Sequence, residues 1–498
     1  MNELADFTPL ADGIAETARA APDRIAVQDE ARALTYAEFD ALMDRVGAAL
    51  QRDGVKAGET IAICASSSVA YLAVFLGAVR VGVAVAPLAP SSTPQSLAAM
   101  RADCGARALF VDATTRALFA APAIGLDDGL DDWLAPQGAR PAPVAINPEA
   151  VFNTIYSSGT TGTPKGIDQS HGMRFLHTRR RLLAGYDETA RTLISTPLYS
   201  NTTLVSVFPT LAGGGRVILM KKFDARRFLE IAAAERATHA MLVPVQYSRL
   251  MALADFDRYD LSSFRMKFST SAPFAAALKR DILARWSGGL SEYYGMTEGG
   301  GTCMLFAHER PDKLHTVGQP AEGHDIRLID ENGREVARGE VGEVVGRSQA
   351  TMNGYRNAAE KTAQAEWRDA EGRRFIRTGD VGRFDEDGFL VLLDRRKDMI
   401  ISGGFNIYPS DLEAALTSRP EVREAAVVGA PSALWGETPV AFVVLQQAAD
   451  AEALREAVNA TLGKTQRLAA LRVVEALPRS AIGKVLKREL RQMAGAMA

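Results

Sequence analysis

The residues best equipped for chemistry lie between Tyr156 and Gly166, which read YSSGTTGTPKG: five Ser or Thr hydroxyls, three glycines, one proline and one lysine within eleven positions. Glycine permits positive φ and close approach of backbone amides to a ligand. Successive amides in such turns form nests that hold anions. The hydroxyls add neutral donors, and Lys165 adds a point charge suited to phosphate. The stretch fits a loop for a polyphosphate; composition alone also allows a flexible connector. The phosphate-loop pattern GxxxxGK[ST] is not met. Counted from Gly159, Pro164 stands where the second Gly belongs, and Gly166 follows Lys165 in place of Ser or Thr. Pro164 also lacks the N–H that a cradle would use.

Other chemistries find less support. His171, His177, His239, His308, His315 and His324 have no metal-ligand spacing, and no Cys/His cluster is available. Cys64, Cys104 and Cys303 are far apart without a C-x-x-C pair, which suits a reducing compartment and leads to the expectation of a cytoplasmic protein. A net charge of −3 gives no reason to expect nucleic acid or an anionic membrane as a partner. The N-terminal residues MNELADFTPLADGIAE are acidic and lack an apolar core, unlike a signal or transit peptide.

The elements that must position these residues are those of a multidomain chain. With 498 residues, 47% hydrophobic and 23% charged, two or more soluble domains are expected. Thr60 to Val79 is uncharged and long enough to span a bilayer, but the serines at 66–68 divide it into a buried strand, IAIC, and a Ser-capped helix over Val69 to Val79. Apolar runs at 84–88, 108–112, 151–156, 216–220 and 240–244 read as strands, and 224–237 reads as a helix. Strands alternating with helices imply parallel sheets under helical layers. Near residue 325 the pattern changes. IRLIDENGREV reads as strand, Asn-Gly turn and strand, and GRFDEDGFLVLL repeats the arrangement, so a small β-rich subdomain is expected. Ser410 and Glu413 form a capping-box pattern behind Pro409. The last hundred or so residues, with strands AAVVGA and VAFVVL and two helices, have the size of a small α+β domain.

Five segments occur in order: YSSGTTGTPKG (156–166), EYYGMTE (292–298), RTGD (377–380), DRRKDMIISGGFNIYP (394–409) and PRSAIGK (478–484), with LTYAEF (34–39) near the start. Together they resemble the adenylate-forming superfamily, in particular the AMP-forming acyl- and aryl-CoA synthetases of the 4-coumarate–CoA ligase type. The resemblance spans nearly the whole chain. It implies a large adenylation domain at 1–393, a hinge at 394–398 and a small mobile C-terminal domain at 399–498, that is, an α/β fold followed by an α+β one. It implies ATP, Mg2+ and CoA as the small molecules used, and a small carboxylic acid as partner; a homodimer is left open.

The resemblance also assigns roles. Ser158, Gly159, Thr160, Thr161, Gly162, Thr163 and Lys165 close over the β- and γ-phosphates. Tyr294, with Tyr293 and Gly295, borders adenine, and Ser271, Ala272 and Pro273 form its other wall. Thr297 contacts the α-phosphate, and Glu298 is the Mg2+ ligand. Asp380 accepts from the ribose hydroxyls, and Arg395 helps to position the nucleotide. Lys397 is the hinge, and Gly403, Gly404 and Phe405 line the path of the CoA thiol arm. Lys484 bridges the acyl carboxylate and the α-phosphate.

The acyl pocket of the family corresponds to TPLYSNTTL (196–204) and GGGTCM (299–304). Ser200 stands where many CoA synthetases have His, and it cannot pair the ammonium of an amino acid. Neither stretch contains a basic residue, which weighs against dicarboxylates. Gly299, Gly300 and Gly301 leave room, Tyr199 and Met304 are apolar, and the hydroxyls of Ser200, Thr202 and Thr203 with Asn201 could meet a polar ring substituent. An aryl or medium-chain monocarboxylic acid is expected. Loading of a separate carrier protein is the alternative within the class, and a nucleotide-binding sensor the alternative outside it.

Overall fold

The computed structural model describes residues 4–157, 165–179, 184–395, 398–402, 405–432, 435–463, 466–480 and 483–495. The chain forms two compact units. Unit 1 comprises residues 1–326 and 346–376, and unit 2 comprises 327–345 and 377–498.

Unit 1 holds two large sheets among the described residues. The elements that matter for the site are strands β1 (Val151–Ser157) and β2 (Lys165–Ser170), helix α1 (His171–Arg179), helix α2 (Asn201–Ala212), and strands β3 (Gly289–Tyr294) and β4 (Cys303–Phe306). One sheet places six parallel strands side by side: β3, Met266–Ser269, His239–Leu242, Arg191–Ile194, Arg216–Leu219 and Ile25–Gln28. β4 pairs antiparallel with β3 at one edge. The other sheet runs parallel from β1 through Ala84–Pro87, Thr60–Cys64, Leu109–Val111 and Ile124–Gly125. β2 turns back antiparallel on β1, and the short strand Gly354–Tyr355 pairs with β2.

Parallel sheets need apolar cover on both faces, and the uncharged run at Thr60–Val79 supplies part of it. Strand Thr60–Cys64 is wholly buried. Helix Val69–Arg80 follows, with the Ser68 hydroxyl accepting from the Tyr71 N–H at 3.1 Å, and it is buried from Val69 to Val79. The run is therefore core. No described helix is long and apolar enough to cross a membrane. Phe75 of this helix, Phe152 of β1 and Phe208 of α2 pack with ring centroids 5.4–5.9 Å apart, which fixes α2 against the sheet. LTYAEF also carries a helix start. Thr35 and Glu38 close a reciprocal capping box at the start of helix Tyr36–Arg52.

Two buried lysines brace unit 1. Lys267 is fully buried, and its ammonium donates to the carbonyls of Trp286, Ser287 and Gly288 at 3.2, 2.6 and 2.8 Å. These carbonyls follow helix Ala276–Arg285, whose C-terminal end favours a cation. Burial pushes the Lys267 pKa down to about 7. Lys279 pairs with Glu292 in the interior and donates to the Leu314 and Thr316 carbonyls at 2.9 and 3.2 Å, which ties β3 to its neighbours.

Unit 2 is the expected α+β fold. Strands Val422–Ser432 and Gly436–Leu445 form a long antiparallel pair, extended by Ile400–Ser402, Phe405–Ile407 and Ala470–Val473. Helices Pro409–Thr417 and Ala451–Asn459 share a core built around Leu412, Leu416, Leu454 and Val458. Helix Lys487–Gly495 covers a second cluster through Leu490 and Ala494, so the described part of this segment carries three helices where two were expected.

The division into two units runs through strands Asp325–Ile329, Gly342–Arg347 and Arg374–Phe384, and the hairpin 377–395 groups with the C-terminal residues. Within unit 2, Ser410 donates from its hydroxyl to the Leu393 carbonyl and from its N–H to Asp394 at 3.1 Å. Lys487 lies 3.9 Å from Asp394.

Two local expectations need correction. Ser410 does not cap its helix: Pro409 takes the first helical position, Tyr408 becomes the N-cap, and Glu413 instead accepts from the Val427 N–H at 2.8 Å. The Asn-Gly turn after Ile329 forms, with Gly333 at φ 76°, but its second strand reduces to one bridge, Ile329 to Glu335.

Candidate active site

Most of the sequence-derived candidates lie in unit 1, at the ends of β2, β3 and their neighbours. Ser158, Gly159, Thr160, Thr161, Gly162 and Thr163 lie outside the described residues. Lys165 opens β2, paired with Ser157. Its ammonium sits 5.1 Å from the ring centroid of Tyr355. The Tyr355 hydroxyl in turn donates to Glu298 Oε1 at 2.8 Å. One phenol thus links the lysine of the hydroxyl-rich segment to the carboxylate of EYYGMTE. Burial and the adjacent Glu298 carboxylate raise the Tyr355 pKa far above neutrality, so the phenol keeps its proton and acts as a donor. Tyr355 did not emerge from the sequence; the segment NGYRN (353–357) was the available signal.

The turn after β3 is held from several sides. The Met352 N–H donates to the Glu298 carbonyl at 2.9 Å, and the Gly299 N–H to Met296 at 3.0 Å. Gln169 of β2 donates from Nε2 to the Thr297 carbonyl at 2.6 Å and lies 3.4 Å from Asn201 Oδ1. Tyr293 stacks on Phe268 at 5.4 Å and pairs across the strands with Met304, while Tyr294 faces Cys303. Gly295 has the Gly301 carbonyl and the Thr302 hydroxyl 3.3 Å from where a Cβ would stand.

Ser271 has φ 79°, the left-handed region that non-glycine residues rarely adopt. Its hydroxyl lies 2.6 Å from that of Thr202 in the first turn of α2. This contact ties the segment Ser271, Ala272, Pro273 to the stretch Tyr199, Ser200, Asn201, Thr202. Backbone strain of this kind persists where surrounding bonds enforce it, and it concentrates at functional sites. Ser200 is the N-cap of α2 and is buried.

The three glycines after Glu298 do not leave open space. A Cβ at Gly299 would stand 2.1 Å from the Ala350 carbonyl, at Gly300 2.8 Å from the Gly346 carbonyl, and at Gly301 2.0 Å from Ile326 Cδ1. Gly299 and Gly300 also require φ of 75° and 84°. They let neighbouring chain segments close in.

Unit 2 brings together a second pair. Asp380 and Arg395 face each other across the hairpin with Nε to Oδ1 at 3.1 Å. The Thr378 hydroxyl fixes the start of this segment by accepting from the Asp380 N–H at 3.0 Å and donating to the Val344 carbonyl at 2.8 Å. Lys484 is exposed, and its backbone closes a turn with Ser480, the Ser480 N–H donating to its carbonyl at 2.8 Å. Lys397, Gly403 and Gly404 lie outside the described residues; Phe405 begins a strand opposite Ser402.

For a metal, the described residues contain no cluster of three or more His, Cys, Asp or Glu side chains that could hold one. A single oriented carboxylate such as Glu298 fits Mg2+ bound mainly through phosphate oxygens and water.

The family described as AMP-binding enzyme matches residues 14–356, and its C-terminal domain matches residues 411–484. A feruloyl-CoA synthase from an Amycolatopsis species is 33% identical over 96% of this chain and 97% of its own. An indoleacetate–CoA ligase from Aromatoleum aromaticum is 31% identical over 95% of each chain. Among solved structures, an amide bond synthetase from Marinactinospora thermotolerans superposes with a TM-score of 0.87 at 30% identity, covering 97% of this chain and 99% of that one.

Proposed function

The chain belongs to the AMP-binding enzyme family of adenylate-forming ligases, and from that premise we propose that it joins an aryl or medium-chain monocarboxylic acid to CoA with cleavage of ATP to AMP and pyrophosphate. The observation that carries the reading is the Lys165–Tyr355–Glu298 arrangement. It holds a phosphate-binding cation and a metal-binding carboxylate in register at the turn that also carries Thr297.

In the first step a carboxylate oxygen attacks the α-phosphorus and the bond to the bridging oxygen of pyrophosphate breaks, giving an acyl-adenylate. Lys165 and the hydroxyls of residues 158–163 hold the leaving group. Thr297 contacts the α-phosphate, and Lys484 neutralises the charge that builds between carboxylate and phosphate. Mg2+ bound by Glu298 would shield the phosphates. Tyr294 and the segment Ser271–Pro273 border adenine, and Asp380 accepts from the ribose while keeping Arg395, since a carboxylate offers about four acceptor positions. In the second step the CoA sulfur attacks the acyl carbon and AMP leaves, with Gly403, Gly404 and Phe405 along the thiol path and Lys397 as pivot.

The tail of the acid is assigned from the uncharged stretch Tyr199–Thr202, and aryl acids are what the feruloyl and indoleacetate relatives are named for. Carboxylate-dependent ATP–pyrophosphate exchange over coumarate, benzoate, octanoate, malonate and phenylalanine tests both parts. At least one of the first three should support exchange and yield AMP. Release of ADP without exchange overturns the reaction class, and preference for malonate or phenylalanine overturns the tail. Acyl transfer to a carrier protein but not to CoA overturns the acceptor.

A further inference from the structure

Behind the turn that carries Thr297 lies a layer of polar side chains with almost no access to water. Asn153 of β1 and Gln169 of β2 are fully buried and face each other across the strand pair. Arg174 of α1 is 1% exposed and lies over the Phe208 ring at 5.6 Å. Its Nε donates to Asn153 Oδ1 at 2.8 Å and its Nη2 to Gln169 Oε1, while Asn153 Nδ2 donates to the same Gln169 oxygen at 3.0 Å. Among the described residues no carboxylate pairs with this guanidinium, and its Nη1 is buried without a hydrogen bond. A buried cation without a counter-charge is costly. An amphipathic helix at this position has no packing need for it, since an apolar residue would fill the same place over Phe208.

We propose that Arg174 is a positioning residue that acts through Gln169 on the Thr297 turn. The chemistry of the donors dictates the effect. Guanidinium has donors only, so the Gln169 amide must turn its oxygen toward Arg174 and Asn153. Its Nε2 then faces the Thr297 carbonyl at 2.6 Å and Asn201 Oδ1 at 3.4 Å. With an apolar residue at 174 the amide could reverse and set oxygen against the Thr297 carbonyl, releasing the turn that carries Thr297 and Glu298. Arg174 thus locks one amide orientation, and that amide joins the nucleotide turn to the first residue of α2. The inference rests on the ligase reading for what Thr297 and Glu298 do.

The decisive variant is Gln169→Glu. It gives Arg174 the carboxylate it lacks and removes the donor to Thr297, so stability and function should separate. The melting temperature should equal or exceed that of the wild type, and Mg-ATP, titrated by calorimetry in the absence of any acid, should bind about tenfold more weakly. Arg174→Met, Gln169→Met and the double variant form a cycle. Each single change should weaken Mg-ATP binding to a similar degree, and the double should be no worse than Gln169→Met alone. Wild-type affinity in Gln169→Glu overturns the proposal. So does Arg174→Met with a lowered melting temperature and unchanged affinity, which marks a purely structural arginine. If the Met variants do not fold, Gln169→Glu still decides. Failure of every acid to support exchange would overturn the ligase reading and leave this comparison standing, whereas a wild-type protein that binds no Mg-ATP overturns both.

Discussion

Arg174 in unit 1 and Lys484 in unit 2 are held in opposite ways. Arg174 is enclosed by Asn153, Gln169 and the Phe208 ring, and every part of its environment depends on side chains. Lys484 is exposed and is presented by a short turn. Its N–H donates to the Ser480 hydroxyl at 3.2 Å, Gly483 takes φ 77°, and Arg479 clamps the turn through the Gly483 carbonyl at 2.7 Å and Glu424 at 2.6 Å. The difference separates two ways of placing a charge. A charge fixed by a buried network acts through every side chain that the network orients. A charge presented at the surface by a turn can be removed at less structural cost.

The largest expected effect tests the second half of that contrast. Lys484→Ala should slow acyl-adenylate formation by roughly a hundred- to a thousandfold, about 2.7–4 kcal/mol. Stability should stay within about 0.5 kcal/mol of the wild type, as for other exposed positions. Thioester formation from pre-made acyl-adenylate and CoA should be nearly unchanged. Single-turnover kinetics of each half-reaction, with a melting curve, read all three. Equal loss in both steps would remove Lys484 from the first step.

Next comes a pH effect of the histidines, all six of which lie in unit 1. Burial pushes His171 and His239 down to about 4 from 6.5. His239 packs in a cluster with the Tyr186 and Phe268 rings and bonds to the Ala184 carbonyl and the Thr238 hydroxyl at 3.0 and 2.7 Å. A depressed pKa means that the unfolded chain binds more protons between about 4 and 6.5. The stability from a neutral buried imidazole is therefore present above 6.5 and lost as the pH falls toward 4, by up to about 3 kcal/mol per histidine. Denaturant titrations across this window should show the fall, and His171→Phe should flatten it. Burial raises the Glu292 pKa and works in the opposite sense, so the test is the difference between the two proteins: a pH profile unchanged by His171→Phe would mean that the His171 ring reaches water.

The smallest effect concerns the link between Lys165 and Glu298. Tyr355→Phe keeps the ring beneath the ammonium and deletes only the donor to the carboxylate. A hydrogen bond to a charged group is worth about 1.5–3 kcal/mol, so kcat/KM for Mg-ATP should fall about tenfold or somewhat more, with little change in melting temperature. An unchanged kcat/KM would leave Glu298 oriented by other contacts.

What the sequence disclosed divides along the same line. Runs such as TIAIC and RVIL announce buried strands because they are short and rich in β-branched residues, whereas the longer apolar run from Val69 is a helix; Ser68 marks that helix because capping is a local property. The Ser410–Glu413 pattern failed where Pro409 offered a competing start one residue earlier. The buried cations were illegible. Arg174 sits in HGMRFLHTR and Lys267 in MKFS, and in one dimension each looks like a solvated charge. Only the register that sets Asn153 opposite Gln169, or the carbonyls at the end of a distant helix, reveals a partner. The same holds for Tyr355, which meets Glu298 across 57 positions. Spacing identified the glycines at 299–301, but their reason is the close approach of Ala350, Gly346 and Ile326, which no local pattern reports.

The Lys267 ammonium, closed in by three carbonyls, also sets a condition on how the chain can be handled. In the folded protein the amine is sealed from reagents in solution. Once the chain is unfolded it becomes an ordinary reactive lysine. Aged urea contains cyanate, which converts such an amine to a neutral ureido group that is longer, carries no charge and spreads its N–H donors over two nitrogens. A chain modified there has no way to satisfy the Trp286, Ser287 and Gly288 carbonyls on return. Recovery from urea should therefore decline with time in the denaturant, whereas recovery from guanidinium chloride should not.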